Sequence, residues 1–224
     1  MERYFSRRNT IEIILGIILS ITVVEVIMMQ PSLSELSSGF QLLIATALQA
    51  LLWFLSLRLS LEEKFSWKSI GMKAISWRWV AVASGIALLW LLRIFILGPL
   101  ATLPFFQNGI DALQSIMTFS QIHEYILFGI CAIIIAPVIE EIIFRGFFYR
   151  IMRAHMPIGS AILGSAMIFG MMHIIPLYAL NGFLVGIPLA WLFEKTQSLI
   201  PGILMHALNN TIMFILMIIL TGIR

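Results

Sequence analysis

Seven apolar stretches alternate with short polar ones along the chain: Thr10–Met29, Phe40–Leu57, Trp79–Leu100, Ile122–Phe144, Gly159–Ile174, Leu177–Phe193 and Leu199–Thr221. Most come close to the ~20 residues that a helix needs to cross a bilayer. The fifth and sixth are the shortest and are interrupted by Pro176, Gly182, Gly186 and Pro188. Neither an internal repeat nor a low-complexity tract breaks the series. The pattern predicts an all-α fold, a polytopic membrane helical bundle of about seven transmembrane helices. It falls into two parts, a three-span region over 1–121 with one polar segment lying along the membrane surface, and a four-span region over 122–224.

Composition agrees with the pattern. The 224 residues are 60% hydrophobic and 11% charged, whereas a soluble domain carries about 25% charged residues. A formal charge of +3 and a pI near 9.3 are explained by topology without invoking nucleic acid. Arg3, Arg7 and Arg8 precede the first span, and Arg58, Lys64, Lys68, Lys73 and Arg78 fill the second connection. Arg145, Arg150 and Arg153 fall in the fourth and Lys195 in the sixth, leaving only Arg93 and Arg224 elsewhere. Lysine and arginine concentrate on the cytosolic side, so the N-terminus is expected in the cytosol and the C-terminus outside. The first span contains Glu12 and Glu25 and lacks a small-residue cleavage site, so it reads as a retained anchor rather than a signal peptide. The second connection mixes Phe65, Trp67, Ile70, Met72, Trp77 and Trp79 with lysines, the make-up of a segment lying along the headgroups. The six tryptophans read as interface anchors, and Gly164, Gly170, Gly182 and Gly186 as sites of close helix contact. The single cysteine, Cys131, allows no intrachain disulfide.

Charges inside a spanning segment are costly and need a partner, water or a task. The run APVIEEIIFR carries three of them. Residues four apart share a helix face, so Glu141 can pair with Arg145, while Glu140, about 100° around the helix, is left to face something else. Pro137 has no N–H to give the carbonyl of Ile133, so an irregular turn is expected just before Glu140. The fifth span adds Phe169 and His173 in FGMMH, and the seventh adds His206 and Asn210 in HALNN, each pair four apart. His123 and His155 stand at helix ends. Arg93 and Glu25 also lie within spans, where pairing with each other, lining a cavity or reaching an interface are equally open to them.

Glu140, His173, His206 and Asn210 together can perform hydrolysis. Glu140 is suited to act as general base on a water that His173 holds or polarises, and His206 with Asn210 can stabilise an oxyanion. No serine or cysteine nucleophile accompanies them, which favours direct attack by water. A second scheme places zinc on Glu140, His173 and His206 with an open position for water, leaving Glu141 as base; no HExxH signature supports it. Two other classes remain: a non-catalytic membrane protein that binds a peptide, as an immunity or regulatory partner would, and a transporter. A transporter usually shows inverted repeats, and none is visible.

EEIIFR fits EExxxR, FGMMH fits FxxxH and HALNN fits HxxxN, in that order and each on an apolar span. This trio resembles the CPBP family of intramembrane endopeptidases, which includes type II CAAX prenyl proteases and bacteriocin-processing or self-immunity proteins. The resemblance runs over roughly Ile122 to Thr221. It implies that Glu140 is the catalytic glutamate, that His173 joins it in activating water, and that His206 and Asn210 serve the oxyanion. Glu141, Arg145 and Phe169 then have supporting roles. The family is described both as metal-dependent and as using a glutamate-activated water, so the cofactor stays open. The short loops look like the bacterial branch, implying a bacterial cell membrane and a peptide precursor or protein tail as substrate in preference to a prenylated one.

Overall fold

A computed structural model describes residues 6–61, 66–116, 119, 121–173 and 175–221. Arg3, Lys64, Phe65, Ile174 and Arg224 lie outside the described residues. All regular structure among the described residues is helical. The main elements are α1 (Arg7–Met28), α2 (Ser38–Leu61), α3 (Trp77–Ala101), α4 (Pro104–Ile116), α5 (Ile122–His155), α6 (Ile158–Met171), α7 (Pro176–Thr196) and α8 (Ile200–Thr221). Single helical turns occupy Pro31–Ser34 and Trp67–Ile70. Among the described residues six helices, α1, α2, α3, α5, α7 and α8, are long and apolar enough to cross a membrane, and α6 is shorter at 14 residues. At 1.5 Å per residue α6 covers about 21 Å, less than the hydrocarbon thickness of about 30 Å.

Local chemistry sets the helix limits. α5 opens with a reciprocal cap between Gln121 and Glu124, whose carboxylate accepts the Gln121 N–H at 3.1 Å. It ends where Met156 turns extended ahead of Pro157. Pro176 supplies the first position of α7, which stops at Gln197 in a left-handed conformation (φ 51°). The sequence pattern closes the fourth span at Phe144; the helix instead continues to His155 and takes π-helical form over Ile130–Ile135 and Ile142–Tyr149. It can run on through Arg145 because that side chain is wholly buried and paired, so Arg145 belongs to the interior and not to the fourth connection.

Packing brings the basic-bearing segments to one end. Asn9 Nδ2 donates to the carbonyl of Ser60, tying the start of α1 to the end of α2. The second connection docks on the α7–α8 turn: Leu199 N–H donates to Gly71 O at 2.8 Å, and Ser198 Oγ to Lys73 O at 2.7 Å. Arg150 donates to the carbonyl of Ser69 and lies over the Phe193 ring, while Arg153 pairs with Glu194 at 3.2 Å. Gly71 makes the turn at φ 107°, where a side chain would also press on Phe193 and Leu199. The second connection is therefore only partly a surface segment: Trp67 and Trp77 are exposed, but Ile70 is fully buried with Leu57, Ile143, Phe147 and Phe193. At the other end, Phe40 meets His123 (5.8 Å between ring centres), and Gly109 of α4 lies against Ile175.

Within the bundle α6 and α7 pack backbone against backbone. A Cβ on Gly170 would stand 2.6 Å from the carbonyl of Ala179, and one on Gly186 would stand 2.8 Å from Cα of Ala166. Gly182 leaves room for the His173 ring, whereas Gly164 faces Met152 of α5. Trp53, expected at an interface, is buried on α2 instead.

Candidate active site

The site begins at the irregular turn of α5. Ala136 N–H donates to Cys131 O, five residues back. In this register the carbonyl that would receive the next N–H is that of Ala132, and Pro137 has none to give. The orphaned acceptor is thus Ala132 O, one residue from the Ile133 carbonyl expected for an ordinary α-helix. Asn210 of α8 satisfies it, donating from Nδ2 at 2.8 Å. A buried carbonyl without a partner would cost about 1–3 kcal/mol, so this bond ties α8 to α5 one turn before the glutamates.

Glu140 and Glu141 follow, and their surroundings differ. The Glu141 side chain is 1% exposed and that of Glu140 23%. Glu141 Oε1 accepts from Arg145 Nη1 at 2.7 Å, the expected pair. Arg145 also donates to Gly186 O at 3.2 Å and stacks its guanidinium 4.6 Å from the centre of the Phe169 ring. A buried ion pair survives where further contacts satisfy it, and here the further contacts come from α7 and α6. Glu141 Oε2 and Arg145 Nε have no hydrogen-bond partner. Gly202 of α8 closes on that oxygen: a Cβ there would come within 2.8 Å of Oε2.

His206 stands between the two carboxylates. Its Nδ1 lies 3.3 Å from Glu141 Oε1 and its Nε2 lies 3.7 Å from Glu140 Oε2. A carboxylate only accepts, so Glu141 calls for a proton on Nδ1 and turns Nε2 toward Glu140. Phe169 locks the three motifs together. It is buried, with edge contacts to Phe144 (4.9 Å), His173 (5.3 Å) and His206 (5.5 Å). His173 sits on the turn beyond the end of α6, and its Nδ1 lies 3.0 Å from the carbonyl of Phe169. The carbonyl also requires a proton on Nδ1, so a neutral His173 offers Nε2 as an acceptor. Glu140 interacts electrostatically with His206, His173, Glu141 and Arg145.

On its other side Glu140 lines a cavity of about 320 Å³ with Ala136 and Ile139 of α5, Val24 of α1, and Ala45, Thr46, Gln49, Ala50 and Trp53 of α2. The wall is mostly apolar. Gln49 is turned to Ser20 Oγ, to which its Nε2 donates at 2.7 Å. The structure therefore brings Glu140, Glu141, Arg145, Phe169, His173 and His206 into one cluster, with Asn210 anchored at its edge.

The proposed zinc ligands do not fit a metal as they stand. The nitrogens of His206 face the two glutamates, and although His173 keeps Nε2 free, no three His, Cys, Asp or Glu side chains among the described residues converge as ligands.

Sequence reasoning missed a second polar group beside the first. Arg93, in a 3₁₀ turn of α3 (Leu91–Arg93), is buried. Its Nε donates to Asn181 Oδ1 at 2.7 Å, Nη1 to Trp90 O at 2.7 Å, and Nη2 to Asn209 Oδ1. It does not pair with Glu25, which is exposed on α1. The charge itself was the available signal; Asn181 and Asn209 carried none that set them apart.

Residues 122–212 match the family model described as type II CAAX prenyl endopeptidase Rce1-like. The match covers 91 of the 224 residues and supports the resemblance of that segment to the CPBP intramembrane endopeptidases. No curated protein matches the chain, and no solved structure does. The matched endopeptidase segment runs from the start of α5 into α8 and holds every residue of the three motifs. Outside it lie α1 and α2, which wall the cavity, and α3, which carries Arg93.

Proposed function

We propose that the chain hydrolyses a peptide bond by a water activated at Glu140. The observation that carries this is the division between two adjacent glutamates: Glu141 is neutralised by Arg145, whereas Glu140 is partly exposed, with His206 Nε2 3.7 Å away on one side and a cavity on the other. A water held between Glu140 and His173 gives one proton to Glu140 and donates its other O–H to Nε2 of His173. The resulting hydroxide attacks the carbonyl carbon. The N–H of Asn210 not used on Ala132 faces the oxygen that becomes negative, and His206, protonated on both nitrogens between the two carboxylates, gives it the Nε2–H. As the tetrahedral species collapses the C–N bond breaks, and Glu140 returns its proton to the leaving amine. The chain needs no metal for this sequence of steps.

The apolar wall of Val24, Ala45, Ala50 and Trp53 suits an apolar side chain next to the scissile bond, in a peptide or the tail of a membrane protein. The shared end of the basic segments supports a cytosolic orientation for that end. Glu140 is ten residues from Arg150, about 15 Å along the helix, which favours cleavage nearer the cytosolic face.

The test is peptide cleavage by purified protein in liposomes, with and without a chelator. We expect wild type to cleave in both conditions and His173→Ala to lose at least about 100-fold in kcat. Chelator-sensitive cleavage restored by zinc would reject the metal-free scheme. Unimpaired cleavage by His173→Ala would remove that residue from the mechanism.

A further inference from the structure

We infer that Arg93 is a positioning residue for Asn210, acting through the side chain of Asn209. The inference rests on the hydrolytic reading, in which Asn210 faces the developing oxyanion. Arginine is a donor at every nitrogen and an acceptor at none. With Arg93 Nη2 on its Oδ1, the amide of Asn209 must turn Nδ2 the other way. That group donates to Asn210 Oδ1 at 2.9 Å. Asn210 in turn directs Nδ2 to Ala132 O. The amide of Asn210 is thus held at both ends, by the carbonyl that Pro137 orphans and by a guanidinium two side chains away. A reversed Asn210 would set its oxygen against the Ala132 carbonyl and offer an acceptor where the reaction needs a donor.

The surroundings of Arg93 point the same way. Among the described residues no carboxylate pairs with it, and its three partners are neutral oxygens. A cation kept in the interior of a membrane bundle on such terms is expected to have a task. Its bonds divide into two branches. One goes to Asn181 of α7 and away from the motifs; the other goes through Asn209 to Asn210. A residue that merely staples helices needs both branches equally, whereas a positioning residue needs the second.

A double-mutant cycle separates these possibilities. Cleavage of an apolar peptide in liposomes is measured for wild type, Arg93→Met, Asn210→Ala and the double variant, with Asn181→Ala as control and thermal unfolding recorded for each. We expect Arg93→Met to lower kcat roughly ten-fold, a fraction of the 100- to 1,000-fold effect of losing an oxyanion donor, with KM within about two-fold. In the Asn210→Ala background the same substitution should lower kcat less than about two-fold, and Asn181→Ala alone should do no more. If Arg93→Met fails to fold, Asn209→Ala takes its place in the cycle. Equal losses in both backgrounds, or an Asn181→Ala loss as large as that of Arg93→Met or its substitute, would overturn the relay and leave the hydrolytic reading standing. An Asn210→Ala variant with unchanged kcat would overturn the oxyanion role and the relay together, and a wild-type protein unable to cleave would overturn both with the enzyme itself.

Discussion

Two polar clusters cross the apolar interior, and they are neutralised in opposite ways. Around α5, two carboxylates share one guanidinium and one imidazole, with Glu141 and Arg145 in direct contact at 2.7 Å. Around α3, the guanidinium of Arg93 is met only by amide and carbonyl oxygens. The clusters meet on α8, where His206 belongs to the first, Asn209 to the second, and Asn210 joins them. The first holds one carboxylate more than it can neutralise by direct pairing with arginine, and that excess, Glu140, faces the cavity. The second holds a cation whose neutral partners fix direction instead of balancing charge. One cluster stores reactivity, and the other stores orientation.

The comparison breaks hardest at Arg145. Removing it strands Glu141 in a wholly buried place, and breaking one partner of a buried pair typically costs about 3–5 kcal/mol. Arg145→Ala should therefore lose the folded protein in thermal unfolding. Arg93→Met, which strands only neutral oxygens, should cost about 1–2 kcal/mol. Equal losses would mean that the two guanidinium groups play the same part. A smaller perturbation sharpens the first cluster alone. Gly202→Ala drives a methyl against Glu141 Oε2, and overpacking of this kind costs about 1–3 kcal/mol. The carboxylate that must yield also holds Arg145 and His206 through Oε1, so cleavage should fall along with stability; a fully active and stable Gly202→Ala would show that Glu141 has room the structure denies it.

The first cluster was legible in the sequence because charges stand out in an apolar run. Glu141 and Arg145 pair as the four-residue spacing required, and His173 and His206 do approach Glu140. The orphaned carbonyl was placed one residue off because nothing in the sequence announces a π turn, and that same turn hides the structural bond made by Asn210. The apolar pattern puts His173 inside the fifth span, whereas α6 ends at Met171. The cavity wall was illegible for a different reason: Ala45, Ala50 and Val24 look the same whether they meet lipid, a neighbour or an empty space. The second cluster lay half in view, with Arg93 conspicuous and its amide partners silent. At the level of the fold, hydropathy located the spans but overstated the fifth and cut the fourth short, since after Phe144 it meets Arg145, Arg150 and Arg153 and cannot see that Arg145 is matched from within.

The account stands on a division of labour between neighbouring glutamates, and one experiment compares them directly. Glu140→Gln and Glu141→Gln are purified from the same membranes, and each is measured for thermal unfolding and for cleavage of one apolar peptide. The account predicts that Glu140→Gln unfolds within a few degrees of wild type yet loses at least about 1,000-fold in kcat, whereas Glu141→Gln is destabilised by several kcal/mol for want of its charge. A Glu140→Gln protein that cleaves at the wild-type rate, or one that unfolds as readily as Glu141→Gln, would contradict it.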